Sequence, residues 1–253
     1  MRIVTYNIFD GGVGRADPIG EVLEAQRADV IVLPEADDDY VVDRNARRLK
    51  CDVIVAPGKH HRIAVMSRHT IVHTINHALL EPDAPPCLLE AHIALPSGPV
   101  IPVIALHLHA GSKHSDEQRR VGELACVMRV TTALRENKTP HVLVGDFNSN
   151  AFAHPGDLSA CKPSTRRAYE ANGNALPTTI MQAVLEAGYV DTLFARHDKN
   201  AFQMNTYSTH HPGQRVDYVF GFNVAHIRDA WVERDRLATY ASDHYPVGAD
   251  IDA

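Results

Sequence analysis

Short apolar runs, separated by polar and turn residues, recur from one end of the chain to the other. MRIVTYNIF (1–9), DVIVLPE (29–35), DVIVAP (52–57), RIAVMSR (62–68), IVHTINHAL (71–79), CLLEAHIAL (87–95), VIPVIALHLH (100–109), HVLVGDFN (141–148), RVDYVFGF (215–222), HIRDAWVE (226–233) and YPVGADI (245–251) all read as strands. Two of them predict a hairpin with its turn at PSGP (96–99), where Pro102 favours an edge strand or a bulge. Helices are fewer. Asp17-Pro18 fits an N-cap followed by a first-turn proline, opening a helix to about Ala28. Ser115 and Gln118 suit a capping box, and Val121, Leu124, Ala125 and Met128 share one face, so a long amphipathic helix is predicted over 116–136. A third helix starts at Thr178 or Thr179, with Gly188 just past its end. About eleven strands are more than one open sheet usually carries. The pattern therefore predicts two sheets packed face to face with helices outside. No repeat or linker interrupts it, so residues 1–253 are expected to form a single domain. The polar stretch from Asn150 to Leu176 reads as a long functional loop.

Several of these runs end in polar residues that a buried strand does not explain. Asn7, Glu35, His107, His109, Asp146 and Asn148 close strands, while Asp217, Asp243 and His244 open or precede them. Burying Asp146 costs several kcal/mol unless a hydrogen bond or a cation answers it, by an order-of-magnitude reckoning. Ligands of crossover sheets bind beyond the carboxyl ends of strands, so these positions point to one convergent site. Asp146 and Asn148, two apart on a strand, are expected to address the same substrate atom, and Gly145 to let a ligand approach the backbone. His107 and His109 have a spacing used by zinc sites, but Ala110-Gly111-Ser112 follows them where such sites want Asp-His two residues on, and no Gly-Asn-His accompanies the Gly-Asp pair.

Composition narrows the chemistry. The net charge of −6 offers no broad basic field, so tight sequence-independent nucleic-acid binding is not favoured. The basic segments RNARRLK (44–50) and CKPSTRRAY (161–169) are expected to be solvated faces, although the second could reach a phosphate backbone from its loop. The same solvated role is expected for Arg119 and Arg120. Four cysteines without a CxxC pair read as free thiols rather than disulfides or a zinc ribbon. No signal-peptide core or membrane-spanning run is seen, so a cytoplasmic protein with no stable membrane anchor is expected.

Taken in order, YN (6–7), LPE (33–35), SR (67–68), HLH (107–109), GDFN (145–148), RVDYVF (215–220) and SDHYP (242–246) resemble the endonuclease/exonuclease/phosphatase superfamily, the DNase I-like phosphoesterases. That group includes apurinic endonucleases, inositol-polyphosphate 5-phosphatases and neutral sphingomyelinases. The loop NIFDGGVG resembles that of small bacterial members, and Pro34 stands where the family commonly has Gln. The resemblance implies an α+β fold, a four-layer α-β-β-α sandwich of two mixed sheets. It implies hydrolysis of a phosphodiester or phosphomonoester by in-line attack of water, with inversion and no covalent intermediate.

The resemblance also implies roles. Glu35 is the principal metal ligand, with Asn7 and Asp243 completing the shell; hard oxygen ligands suit Mg²⁺ or Mn²⁺. Asp146 positions or deprotonates the attacking water, and Asn148 donates to phosphoryl oxygens or holds the nucleophile. His107 binds the phosphate, His244 binds it or moves a proton, and Asp217 orients His244. His109 and Arg215 are candidate substrate contacts; a surface role for His109 and an Arg215–Asp217 pair are the competing expectations. Ser67 and Arg68 receive no catalytic role. Three functions follow as alternatives: a small-molecule or lipid-headgroup phosphoesterase, a nuclease on DNA or RNA, and a non-catalytic binding protein on the same fold. The last lacks support, because every expected catalytic position is filled.

Overall fold

The computed structural model describes residues 1–96, 98–152, 156–174 and 178–252. In its first half the chain runs β1 (Arg2–Thr5), α1 (Ala16–Gln26), β2 (Val30–Pro34), α2 (Asp39–Leu49), β3 (Asp52–Pro57), β4 (Arg62–Ser67), β5 (Ile71–Asn76), α3 (His77–Leu80), β6 (Cys87–Ala94) and β7 (Val100–His107). It continues through α4 (His114–Val130), α5 (Thr132–Glu136), β8 (His141–Asp146), α6 (Pro163–Ala171), α7 (Thr179–Glu186), β9 (Val190–Asp191), α8 (Thr192–His197), β10 (Asp217–Phe222), β11 (His226–Val232), α9 (Arg236–Ala241) and β12 (Val247–Asp252).

The strands form two six-stranded sheets, ordered β11-β12-β1-β2-β4-β3 and β5-β6-β7-β8-β10-β9. Each sheet is mixed: β1 and β2 are parallel in the first, β7 and β8 in the second, and the other neighbours are antiparallel. Strand alternation builds the layers. Val30, Val32, Val142, Val144 and Val219 meet between the sheets. Ile31 and Leu33 point the other way, onto Ile19, Leu23, Val41 and Val42 of α1 and α2. Leu143 and Phe220 pack outward against Leu124 and Val127 of α4 and Ile180 and Val184 of α7. The result is the four-layer α-β-β-α sandwich.

Some elements differ from the reading above. Helix α1 opens at Ala16 with Arg15 as its N-cap residue, so Asp17 sits in the first turn and caps nothing. Helix α4 starts before Ser115; the Asp116 carboxylate accepts the Lys113 N–H at 2.9 Å, and the helix breaks at Thr131 before α5. Its inward face is also not the one expected: Val121 is exposed, whereas Glu117, Arg120, Glu123, Leu124 and Val127 are buried. Pro102 lies in a central strand, but it precedes the first β7–β8 pair and so has a neighbour on one side only. Helix α2 was absent from the sequence reading although its signals are local: Asp38 accepts the Val41 N–H at 2.9 Å, and arginines occupy its last turn. The 150–176 stretch is not one loop, because it holds α6; its residues 153–155 and 175–176, like Ser97 of the predicted turn, lie outside the described residues. All four cysteines are free thiols. Among the described residues no helix is long and apolar enough to cross a membrane.

Candidate active site

Strand register assembles the centre of the site. His107 is paired with Asp146 across the parallel β7–β8 ladder, and Asp146 with Asp217 across β8–β10. Three polar residues far apart in sequence thus form one row at the end of the second sheet. From the first sheet, Asn7 follows β1 and Glu35 follows β2. The Asn7 amide joins the sheets: its Nδ2 donates to Glu35 Oε1 at 3.0 Å and to Asp146 Oδ2 at 3.1 Å. Glu35 Oε2 accepts the Asp10 N–H at 2.8 Å, and Glu35 itself adopts a left-handed backbone with φ 59°.

His244, three residues before β12, completes the arrangement. Its Nδ1 lies 2.8 Å from Asp217 Oδ2, which leaves Nε2 facing Asp146 Oδ2 at 3.9 Å and Asp243 Oδ1 at 4.0 Å. Glu35, His107, Asp146, Asn148, Asp243 and His244 line a cavity of about 690 Å³. Asn7 and Asp217 stand behind them. His109 also reaches this cavity, with its Nε2 3.4 Å from Asp116 Oδ1.

Two expectations about this segment need correction. Asp146 ends β8, and Asn148 converges with it through a left-handed turn, φ 51°, not through strand alternation. The Asn148 N–H donates to Asp146 Oδ1 at 2.9 Å, and its Nδ2 donates to Leu108 O at 3.0 Å, leaving the second amide hydrogen available. Gly145 admits no ligand; a Cβ there would lie 1.9 Å from Leu106 O, so the close approach is that of β7. Arg215 does not belong to the site either. Its guanidinium pairs with Asp191 at 2.5 Å and lies over the Tyr218 ring, well buried beside a separate pocket.

Burial and neighbouring charges together set the protonation states. Desolvation, reinforced by the Asp217 charge, raises the Asp146 carboxyl to about 7. Burial lowers His107 to about 4. For His244 burial works toward the neutral form, but the Asp217 carboxylate overrides it and holds the pKa well above the usual imidazole value. Burial raises Asp243, with Glu35 adding to the shift. Glu35 goes the other way: burial opposes ionisation, but the Asp10 N–H, His107 and Asn7 together lower it.

Two of these carboxylates keep an unpaired oxygen. Asp243 Oδ1 and Asp217 Oδ1 are buried and have no hydrogen-bond partner among the described residues. Two groups of donor atoms gather here, each within 4.8 Å of one another: Asp146, Asp217 and His244, and Asp10, Glu35 and His61. The donor set, rich in hard oxygens, fits a divalent cation. Asp10 and His61 were not expected. Asp10 lies in the NIFDGGVG loop and could have been suspected, whereas His61 sits between β3 and β4 with no local mark of a role. Against the pull of burial, Asp37 and Glu35 raise the His61 pKa. Lys162, from the basic segment 161–169, bonds to the Tyr207 hydroxyl and lines the cavity, as does Lys113, which was unforeseen.

A family model described as Endonuclease/Exonuclease/phosphatase family matches residues 4–244. No curated protein matches the sequence. Among solved structures, an endonuclease/exonuclease/phosphatase protein from Beutenbergia cavernae superposes with a TM-score of 0.74 at 21% identity, covering 100% of this chain and 71% of the other. An AP endonuclease from Archaeoglobus fulgidus gives 0.72 at 20% identity, with 100% of both chains covered. A 3′-5′ exonuclease from Neisseria meningitidis gives 0.72 at 22% identity, again over 100% of both.

Proposed function

The chain belongs to the Endonuclease/Exonuclease/phosphatase family, and from that premise we propose that it hydrolyses a phosphodiester or phosphomonoester in a reaction that depends on Mg²⁺ or Mn²⁺. The observation that carries this reading is the meeting of Asn7 and Glu35, from one sheet, with His107, Asp146 and the His244–Asp217 pair around a single cavity.

Glu35, Asn7 and Asp243 are the residues that would hold the cation. When bound, the cation neutralises the carboxylates and withdraws charge from the phosphoryl oxygens. Asp146, with a pKa raised to about 7, is suited to take the proton of the attacking water. Its Oδ1 is fixed by the Asn148 N–H, and the free Asn148 amide hydrogen addresses the phosphoryl group. His107, neutral, donates its ring N–H to a phosphoryl oxygen. His244, held protonated by Asp217, presents Nε2–H to the phosphoryl oxygens as charge builds. Attack is in line, with inversion at phosphorus; no side chain bonds to phosphorus.

A small phosphoester is the favoured substrate class, because the chain carries a net charge of −6. A nuclease is the second reading. Lys113, Lys162 and the first turn of α6 border the cavity, while Arg166 and Arg167 are exposed on the same helix. The relatives that act on nucleic acid, an AP endonuclease and a 3′-5′ exonuclease, make that test necessary.

The experiment incubates the protein with Mg²⁺ or Mn²⁺ and a panel: bis-p-nitrophenyl phosphate, a phosphomonoester, plasmid, single-stranded DNA, RNA and sphingomyelin. Turnover should vanish with chelator and fall by about 10²–10⁴-fold in Asp146→Asn, the range for loss of a general base. Plasmid nicking that is lost in Asp146→Asn would favour the nuclease. Turnover that survives both chelator and Glu35→Ala would refute the mechanism.

A further inference from the structure

His61 is held from several sides at once. Its Nδ1 lies 2.6 Å from Asp37 Oδ2, and Asp37 Oδ1 in turn accepts the Arg62 N–H at 2.7 Å. Cys87 Sγ donates to the His61 carbonyl at 3.0 Å, and the ring stacks on His107 with centroids 5.9 Å apart. A neutral imidazole that gives its Nδ1–H to a carboxylate presents Nε2 as a lone pair. Donor atoms of His61, Glu35 and Asp10 lie within 4.8 Å of one another. Glu35 is itself fixed by the Asp10 N–H and the Asn7 amide. An imidazole backed by a carboxylate and facing two further carboxylates is the arrangement that metal-ligating histidines adopt.

We propose that His61, oriented by Asp37, is a nitrogen ligand to the divalent cation held by Glu35, with Asp10 as a further donor, and that this mixed set selects Mn²⁺ over Mg²⁺. The inference rests on the metal-dependent reading above and departs from the all-oxygen ligand set of Glu35, Asn7 and Asp243. Mg²⁺ takes oxygen donors in a strict octahedron and dehydrates reluctantly, whereas imidazole binds later divalent ions more readily. His61 and Asp37 enter from segments on either side of β3, so the selection is assembled only by the fold.

The test is electron spin-echo spectroscopy of Mn²⁺ bound to the full chain, alongside Mn²⁺ and Mg²⁺ titrations by calorimetry. The wild type should show ¹⁴N modulation from a directly bound imidazole, and His61→Ala should lose it. Asp37→Asn should weaken Mn²⁺ by about 10–100-fold, the usual effect of removing a partner behind a ligand, and should weaken Mg²⁺ less. His61→Gln, with a side chain of similar length, serves the same purpose if the alanine variant fails to fold. Bound Mn²⁺ with no ¹⁴N modulation in the wild type, or modulation that persists in a folded His61 variant, overturns the assignment and leaves the metal-dependent reading intact. No binding of either cation to the wild type defeats both.

Discussion

Gly145 shows how one residue can hold the site together without touching substrate. It pairs with Leu106 and Tyr218, one step before the row of His107, Asp146 and Asp217, and its φ of 142° and the 1.9 Å separation of a built Cβ from Leu106 O leave no room for a side chain. Gly145→Ala should destabilise the fold by about 3 kcal/mol or more, from backbone strain and overpacking together, measured by urea unfolding. Glu90 illustrates a titrating residue away from the centre. Burial disfavours its charge, but hydrogen bonds from His77 at 2.8 Å and His92 at 2.6 Å win, so its pKa is lowered on folding. A carboxylate with a depressed folded pKa adds stability above its unfolded pKa of about 4.3, and that stability is lost as pH falls through the lower folded value. Glu90→Gln should therefore flatten the acid limb of thermal stability against pH, and an unchanged limb would contradict the assignment.

Helix α4 makes the same point for an element. Its inner face carries Arg120, fully buried, whose Nε donates to Glu117 at 2.8 Å and whose Nη1 donates to the carbonyls of His109 and Gly111 at 2.7 and 2.8 Å. Glu117 also accepts the Ile180 N–H of α7 at 3.0 Å. The helix thus uses an ion pair to fasten the cavity-lining 109–111 loop to α4, and α4 to α7. Arg120→Met should cost about 3–5 kcal/mol, because it leaves the Glu117 carboxylate buried without its cationic partner. Calorimetric unfolding of the variant, with Arg47→Met in an exposed pair as the control, would measure this.

At the scale of the whole molecule, the site lies where the two sheets meet, and each contributes carboxylates. Like charges about 4 Å apart repel by roughly 4 kcal/mol at an effective dielectric of 20. On the proposed metal-dependent reading, these carboxylates therefore strain the fold when no cation is bound. Asp146→Asn should raise the melting temperature of the chelated protein by a few degrees, as a gain of about 1 kcal/mol does for a domain of this size. Saturating Mn²⁺ should stabilise the wild type by about 2.7 kcal/mol at one hundred times the dissociation constant, and Asp243→Asn less. A melting temperature indifferent to both cation and chelator would contradict a site built around a metal.

The chain's own pattern was enough to indicate eleven of the twelve strands among the described residues, the two-sheet packing and seven of the residues that line the cavity, Glu35, His107, His109, Asp146, Asn148, Asp243 and His244. Alternation, apolar runs and polar strand ends are local features, and Asn7, Glu35, His107, Asp146 and His244 each interrupt such a run. Tertiary structure alone decided which charge answers which. Arg215 stands two residues from Asp217 yet pairs with Asp191, and Arg120, on a helix whose spacing suggested a different face, is buried against Glu117. His61 joins Glu35 only because β3 and β4 return the chain to the end of β2. Burial energy follows the side chain that a position carries, and sequence displays that. The energy of a charge follows the partner brought to within a few ångströms of it, and that partner is chosen by the packing of distant segments.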